Sequence, residues 1–383
     1  MTPALTPFET VLAVAVPGFP GLPHRRMEAW KWTDLRAALR DDLPPADSEV
    51  IAPSIFVNAG PFEITVMNGR AEWGKLPAGV RLSTGEPALS GLAGDHPMAL
   101  LAMAFAGPAL ILEIEGAVAQ PILIRRVAGA GSVHARARIL LAPGAEATII
   151  ESFDGAGSFF SNSATDFQVG DGASLHRVIY QNAGEAGVET ALATIVLGAR
   201  ARLTQTMLTF GGKMARLETH IRVDGDGAQV SLRSAAALSG ARHADATSLV
   251  AHHAKSCETR QIHRAALNDK SRGVFQGKFL VARGAQKTDA EMNAGALLLS
   301  GMAEANAKPE LEIYADDVMC AHGSTAGALD GEAVFYMRQR GLSEDAARAL
   351  LIEAFLGEVF DGGLPASLEH ILRGRLSRWL EDA

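Results

Sequence analysis

Gly144-Ala-Glu-Ala-Thr-Ile-Ile150 and Gly172-Ala-Ser-Leu-His-Arg-Val178 share an opening Gly-Ala pair and a following run with apolar residues spaced for a strand. The opening recurs at Gly116-Ala117, Arg200-Ala201 and Gly227-Ala228, so the steps along positions 116, 144, 172, 200 and 227 are 28, 28, 28 and 27 residues. A second run lies midway through each unit, as in Ala191-Leu-Ala-Thr-Ile-Val-Leu197 and Leu217-Glu-Thr-His-Ile-Arg-Val223. A period of this size with two short strands per unit reads as a solenoid. No unit can bury its own apolar face, so neighbours stack into one continuous core. Small corner residues let successive coils approach closely. A β-sandwich would place its turn signals every roughly 8–12 residues. The chain is therefore mainly β, read as a parallel β-helix beginning near Ala109 and running on through Ala246 to Ile313, where the phase is harder to follow.

Helical patterns flank the repeat. Residues 6–16 read as a short helix closed by the Pro/Gly-rich turn at 17–23. A second helix is expected over Arg26–Leu39, with Met27, Trp30, Leu35, Ala38 and Leu39 on one face and Pro44-Pro45 as the stop. Residues 46–100 read as short strands between Gly and Pro turns, with a small helix near 97–105. Beyond the solenoid, Ser343 is a plausible N-cap for a helix whose Glu344 and Asp345 suit the positive end of its dipole. Ala347, Leu350, Leu351, Ala354 and Phe355 form its apolar stripe, and Asp361-Gly-Gly363 ends it. A last helix from about Pro365 to Leu380 places Leu368, Leu372, Leu376 and Trp379 on one side. These helices serve either to cap the solenoid's open end or to dock a partner. The resulting division is an N-terminal mixed segment over 1–105, a β-helix core over 106–325 and a helical domain over 326–383.

Composition narrows the function classes. At 383 residues the chain exceeds one ordinary core, and its 48% hydrophobic content excludes general disorder. Only 6% of residues are aromatic while glycine is plentiful at 39, which suits stacked coils better than a core of large rings. A net charge of −8 argues against nucleic-acid binding. Cys257 and Cys320 are too few for a disulfide framework, which favours a reducing compartment. No basic leader opens the sequence and no apolar run is long enough to span a bilayer. The expectation is a cytoplasmic protein with no membrane segment.

Chemistry concentrates in Pro309-Glu-Leu-Glu-Ile-Tyr-Ala-Asp-Asp-Val-Met-Cys-Ala-His-Gly-Ser-Thr325. On a strand, residues i and i+2 share a face, so Cys320 and His322 project together as two ligands for a soft metal. Asp316 and Asp317 lie just upstream, and Gly323 is expected to turn the backbone tightly behind the histidine. The bland alternative is a buried structural cysteine beside a turn histidine. Two ligands do not close a metal site, so any cluster here needs ligands from another chain. His252-His253, with Lys255 and Cys257, reads as a pair of ordinary surface histidines pointing to opposite faces. His134, His176, His220, His243 and His263 read as solvent-facing strand residues. Lys213 lacks the spacing of a phosphate loop. Two enzyme classes compete: a β-helix acting on polysaccharide, which would need clustered acids along one face, and a Cys/His-dependent enzyme using Cys320 and His322.

Lys308 through Thr325, followed by Phe335-Tyr-Met-Arg-Gln-Arg-Gly-Leu-Ser343, resembles the SufB/SufD family of iron–sulfur cluster assembly proteins, and most of all its SufD branch. The likeness extends through Gly273-Val-Phe-Gln-Gly-Lys278, Ala285-Gln-Lys-Thr-Asp289 and Leu297-Leu-Leu-Ser300, and Glu28-Ala-Trp-Lys-Trp-Thr-Asp34 is similar to the family's opening signature. Gly323 stands where SufB has a glutamate, and no cysteine lies between Gln286 and Ser300, which favours the SufD branch. The resemblance implies a right-handed parallel β-helix between helical ends. It implies a non-catalytic scaffold that pairs with a SufB-like subunit and docks a SufC-like ATPase. A nascent iron–sulfur cluster would form transiently at the SufB–SufD interface, with His322 as iron ligand or proton handler and Cys320 second. No stably bound cofactor is then expected in the isolated chain, for which a homodimer stays open. The docking residues implied on the C-terminal helices are Leu350, Leu351, Phe355 and Phe360.

Overall fold

The repeat stacks as its period requires. Leu175, Leu203 and Val230 lie side by side on the parallel strands Ser174–Asn182, Arg202–Thr209 and Gln229–Leu238. The midway runs form Phe159–Val169, Val188–Leu197 and Met214–Val223, also parallel and in register. Successive strands alternate between a ten-stranded and a nine-stranded sheet, the architecture of a parallel β-helix. This computed structural model describes residues 6–15, 21–40, 43–46, 53–87 and 91–382, and residues 17–20 of the expected Pro/Gly turn lie outside them. Among the described residues, no helix is long and apolar enough to cross a membrane.

The corners explain both the regularity and its loss. Gly116, Gly144, Gly172 and Gly227 all adopt left-handed φ values between 66° and 71°, a region costly for residues with a Cβ. Arg200 takes the same place at φ 52°. The next such corners are Ser256 and Lys287, at φ 55° and 61°, after steps of 29 and 31 residues. Later coils are therefore longer and lack the Gly-Ala mark, which is why the phase fades from the sequence there. Corner packing is also tight. A Cβ added to Gly225 would sit 1.9 Å from the Ala199 nitrogen of the coil beneath. Gly225→Ala is expected to lower stability by about 3 kcal/mol, at the upper end of overpacking costs. The midpoint of urea unfolding measures this, and an unchanged midpoint would show that the corners can move apart.

Strands expected to end at turns run on. Met319–Gly327 is a single strand paired residue by residue with Asp289–Leu298. Gly323 lies within it and is absent from the left-handed glycines, so it makes no tight turn behind His322. Ladder hydrogen bonds to the neighbouring coil override the weak strand preference of Gly, Ala and Ser. At the other end, Phe62–Met67, Arg70–Trp73 and Val80–Gly85 join the two sheets, and Leu76 packs over the core between them.

Both outer faces of the solenoid are covered. Helix α1 (Pro7–Ala15) and helix α3 (Pro97–Phe105) pack with Phe160, Val188 and Met214 of the nine-stranded sheet. The helix expected over Arg26–Leu39 is broken into a 3-10 turn, Glu28–Trp30, and one turn of helix, α2 (Leu35–Ala38). Its residues follow the strand surface beneath them instead of a helical face. Beyond the strands come α4 (Gly331–Arg338), α5 (Glu344–Gly357) and α6 (Ala366–Asp382). Ser343 caps α5, accepting from the Ala346 N–H. Ile352, Leu356, Phe360, Leu368, Leu372 and Leu376 bury against Ile150, Val178 and Leu208 on the side of the ten-stranded sheet. The C-terminal helices thus line a flank of the solenoid and leave its last coil uncapped.

The lumen is apolar, with a charged exception. Arg126 donates to Glu151 at 2.8 Å and Arg177 donates to the other carboxylate oxygen at 2.6 Å. Arg177 continues to Gln205 at 2.7 Å, and Arg126 reaches Thr165 at 2.9 Å. Burial opposes ionisation of Glu151, but the two guanidiniums prevail and hold its carboxyl below the usual range. Glu189, without a guanidinium bonded to it, is pushed up to about 8 by burial, which favours its neutral form.

Candidate functional site at the open end

The last coil of the solenoid is its least protected part. Among the described residues, Glu304–Ile313 and Met319–Gly327 are the edge strands of the nine- and ten-stranded sheets, each paired on one side only. Most of the second strand is exposed, with Met319 at 69%. An edge of unpaired N–H and C=O groups is a template for a further strand.

The register sets where the candidate side chains point. Cys320 lies beside Ala290 and His322 beside Met292, both of which belong to the lumen core. Cys320 and His322 therefore share the face that lines the open mouth, as the two-residue spacing anticipates. Across the mouth, Ala307 and Leu311 continue the lumen rows of Phe275 and Phe279. One wall is apolar and the other carries a thiol and an imidazole. Cys320 is half-buried against the core, and that burial pushes its thiol up. A protonated thiol is a poor nucleophile, which weighs against a cysteine-dependent enzyme acting alone. His322 is exposed. The upstream acids do not join the pair. The Asp317 N–H donates to Gln286 at 2.9 Å, and its carbonyl accepts from the Lys287 N–H at 2.6 Å. Among the described residues, no three His, Cys, Asp or Glu side chains are placed to hold a metal ion.

The remaining histidines correct the sequence reading. His252 is fully buried with its Nε2 3.1 Å from Thr259 Oγ1, and Cys257 is 1% exposed; His253 and Lys255 of that group face solvent. His243 and His263 are buried, and His134, His176 and His220 are partly so. Burial holds His134, His243 and His252 down at about 4 and His263 at about 3, so all four are neutral. A solvent-facing strand surface was the wrong premise, because one face of each sheet lines the lumen and the other is covered by flanking segments.

The implied docking residues divide by exposure. Phe360 is completely buried in the helix–sheet core and has no surface to offer a partner. Phe355 is half-buried under the Arg264 guanidinium, 5.5 Å from its ring centre. Leu351 is half-buried and Leu350 is 46% exposed. Phe335 and Tyr336 on α4, at 63% and 58%, add exposed apolar surface beside it. Their signal was two adjacent aromatics on a short helix, of which one helical face can bury only part.

Sequence reading also missed how the Glu28–Asp34 stretch is used. The fully buried Arg216 lies 4.0 Å from the Trp30 ring centre, and donates to Glu218 at 2.8 Å, Asp245 at 2.7 Å and the Ala29 carbonyl at 2.9 Å. Thr33 donates to Asp245 at 2.5 Å, and Lys308 of the last coil pairs with Glu28 at 2.8 Å. Arg216, Glu218 and His220, alternating on one strand face, were the available clue.

Comparison with known proteins agrees with this architecture. The "SUF system FeS cluster assembly, SufBD core domain" matches residues 124–355. The chain is similar to "Iron-sulfur cluster assembly protein SufD" of Escherichia coli (strain K12), 27% identical over 389 residues, covering 94% of this chain and 90% of that protein. It is also similar to an iron–sulfur cluster assembly SufBD family protein of Synechocystis, at 31% over 251 residues, covering 63% of this chain and 55% of the other. A SufBD family protein of Mycobacterium bovis matches at 26% over 352 residues, 88% of this chain and 84% of the other. With the core domain spanning more than half of its length, the chain belongs to the SufBD family of the SUF system for iron–sulfur cluster assembly.

Proposed function

We propose that this chain is a SufD-type scaffold subunit that pairs with a SufB-like subunit through its last coil. The observation that carries this reading is the uncapped coil itself. Two unpaired strand edges frame a mouth that holds Cys320 and His322. A second chain adding strands to both edges would enclose the mouth and bring further ligands to it. Iron and sulfide are cargo at that seam, and the two residues of this chain supply part of their ligation. An imidazole nitrogen suits iron, and the ring can also carry a proton. A SufC-like ATPase docks on the exposed surface of Phe335, Tyr336 and Leu350. The chain performs no turnover of its own, and its place of action is the cytoplasm.

Co-expression with SufB-like and SufC-like chains, followed by native mass measurement, tests the reading. The expected product holds one SufB-like chain, two ATPase chains and one copy of this chain. Leu350→Glu combined with Tyr336→Glu should lose an ATPase chain while the SufB-like partner stays bound. A chain that remains alone, or forms only a homodimer indifferent to the ATPase, would overturn it.

A further inference from the structure

A cleft of about 540 Å³ lies on the nine-stranded side, between the segment following Arg25 and the corner turns of later coils. Among the described residues its walls carry five cations, Arg25, Lys31, Lys213, Lys270 and Arg272. They carry two carboxylates, and both are engaged. Glu304 pairs with Arg272 at 2.8 Å, and Asp34 accepts from the Ala37 N–H at 2.9 Å. Arg25 and Lys270 make no side-chain hydrogen bond or ion pair with any described residue. His243, neutral by burial, adds no charge. This local excess of positive charge stands out in a chain whose net charge is −8. Low-dielectric walls lined by one sign of charge focus the field within a cleft and concentrate counter-ions there.

We propose that this cleft binds a small polyphosphate anion. The cations surround a concavity within the size range of small-ligand sites instead of forming an open stripe. Lys270 and Arg25 contact the phosphates from two sides, with Arg able to engage two oxygens at once. Trp32, half-exposed on the same wall with the Lys31 ammonium 5.1 Å from its ring centre, offers a planar surface for a nucleoside base. The shared chemistry is the polyphosphate chain, free or carried by a nucleotide. Two of its lining residues, Glu304 and Asn306, begin the edge strand of the nine-stranded sheet, and among the described residues its walls include none from the C-terminal helices.

Calorimetric titration of the isolated full-length chain, with no ATPase present, distinguishes this site from any partner's. Inorganic pyrophosphate and ADP are each titrated at about 150 mM salt, where interactions between distant exposed charges are largely screened. One saturable site is expected. Arg25→Glu with Lys270→Glu should weaken it at least ten-fold, whereas Lys75→Glu, a charge reversal at another exposed position, should leave it unchanged. Both reversed residues are exposed, and matching thermal melts confirm that each variant folds. Tighter binding of ADP than of pyrophosphate assigns a nucleotide held partly by Trp32, and equal binding assigns the phosphate chain alone. Absence of saturable binding by either probe, or binding that the double reversal leaves intact, overturns the proposal.

Discussion

Glu151→Ala is expected to be the most damaging single substitution in this chain. Glu151 is 1% exposed and bridges two guanidiniums that are themselves 6% and 4% exposed, those of Arg126 and Arg177. Removing it leaves two buried positive charges facing each other inside the lumen without a counter-ion. Breaking one buried ion pair in this way costs about 3–5 kcal/mol. Here the loss affects two partners, so an effect at the top of that range is expected, read as a lower urea midpoint and a smaller soluble yield. Glu151→Gln keeps the volume and one acceptor and should cost less. Replacing Arg126, Glu151 and Arg177 together by apolar residues of similar size should recover much of the loss, because no charge then remains to be solvated. A wild-type midpoint for Glu151→Ala would mean that water already reaches this part of the lumen.

His322→Ala should show the opposite profile, a large functional loss at almost no structural cost. The side chain is exposed on an edge strand, where substitutions usually change stability by less than about 0.5 kcal/mol. At the proposed seam it contributes a ligand or a proton acceptor that Cys320, with its raised pKa, replaces poorly. Cluster formation by the assembled complex should fall by more than about ten-fold, the lower bound set by losing even an outer partner of a metal site. Native mass should show that the complex still forms, which separates loss of chemistry from loss of pairing. Normal cluster formation by His322→Ala would remove the residue from the mechanism.

The solenoid was legible because its corners are chemically marked. Gly116, Gly144, Gly172 and Gly227 occupy a backbone conformation that disfavours other residues, so their spacing writes the period into the sequence. That Cys320 and His322 share a strand face was legible for a similar reason, since strand alternation is local. What stayed hidden depends on contacts distant in sequence. Arg216 meets Ala29 across 187 residues and Thr33 meets Asp245 across 212; no periodicity announces such pairs. Phe360 was implied as docking surface by resemblance, which does not say what the ring packs on, and it is buried in the helix–sheet core. His252 and His263 read as surface residues because polarity was taken as exposure. A closed coil has one inward face, and a few neutral histidines fit there when Thr259 or Ser234 supplies a hydrogen bond.

The placement of the C-terminal helices has a consequence for how large an assembly can grow. They spread along the flank and leave one tip of the rod bare, while Leu76 and its flanking strands obstruct the opposite tip. A rod sticky at both tips would polymerise into fibres of indefinite length. On the proposed pairing, a rod with a single adhesive tip would behave as a chain terminator: the first partner met head-on would use up that tip, and growth would stop at a pair.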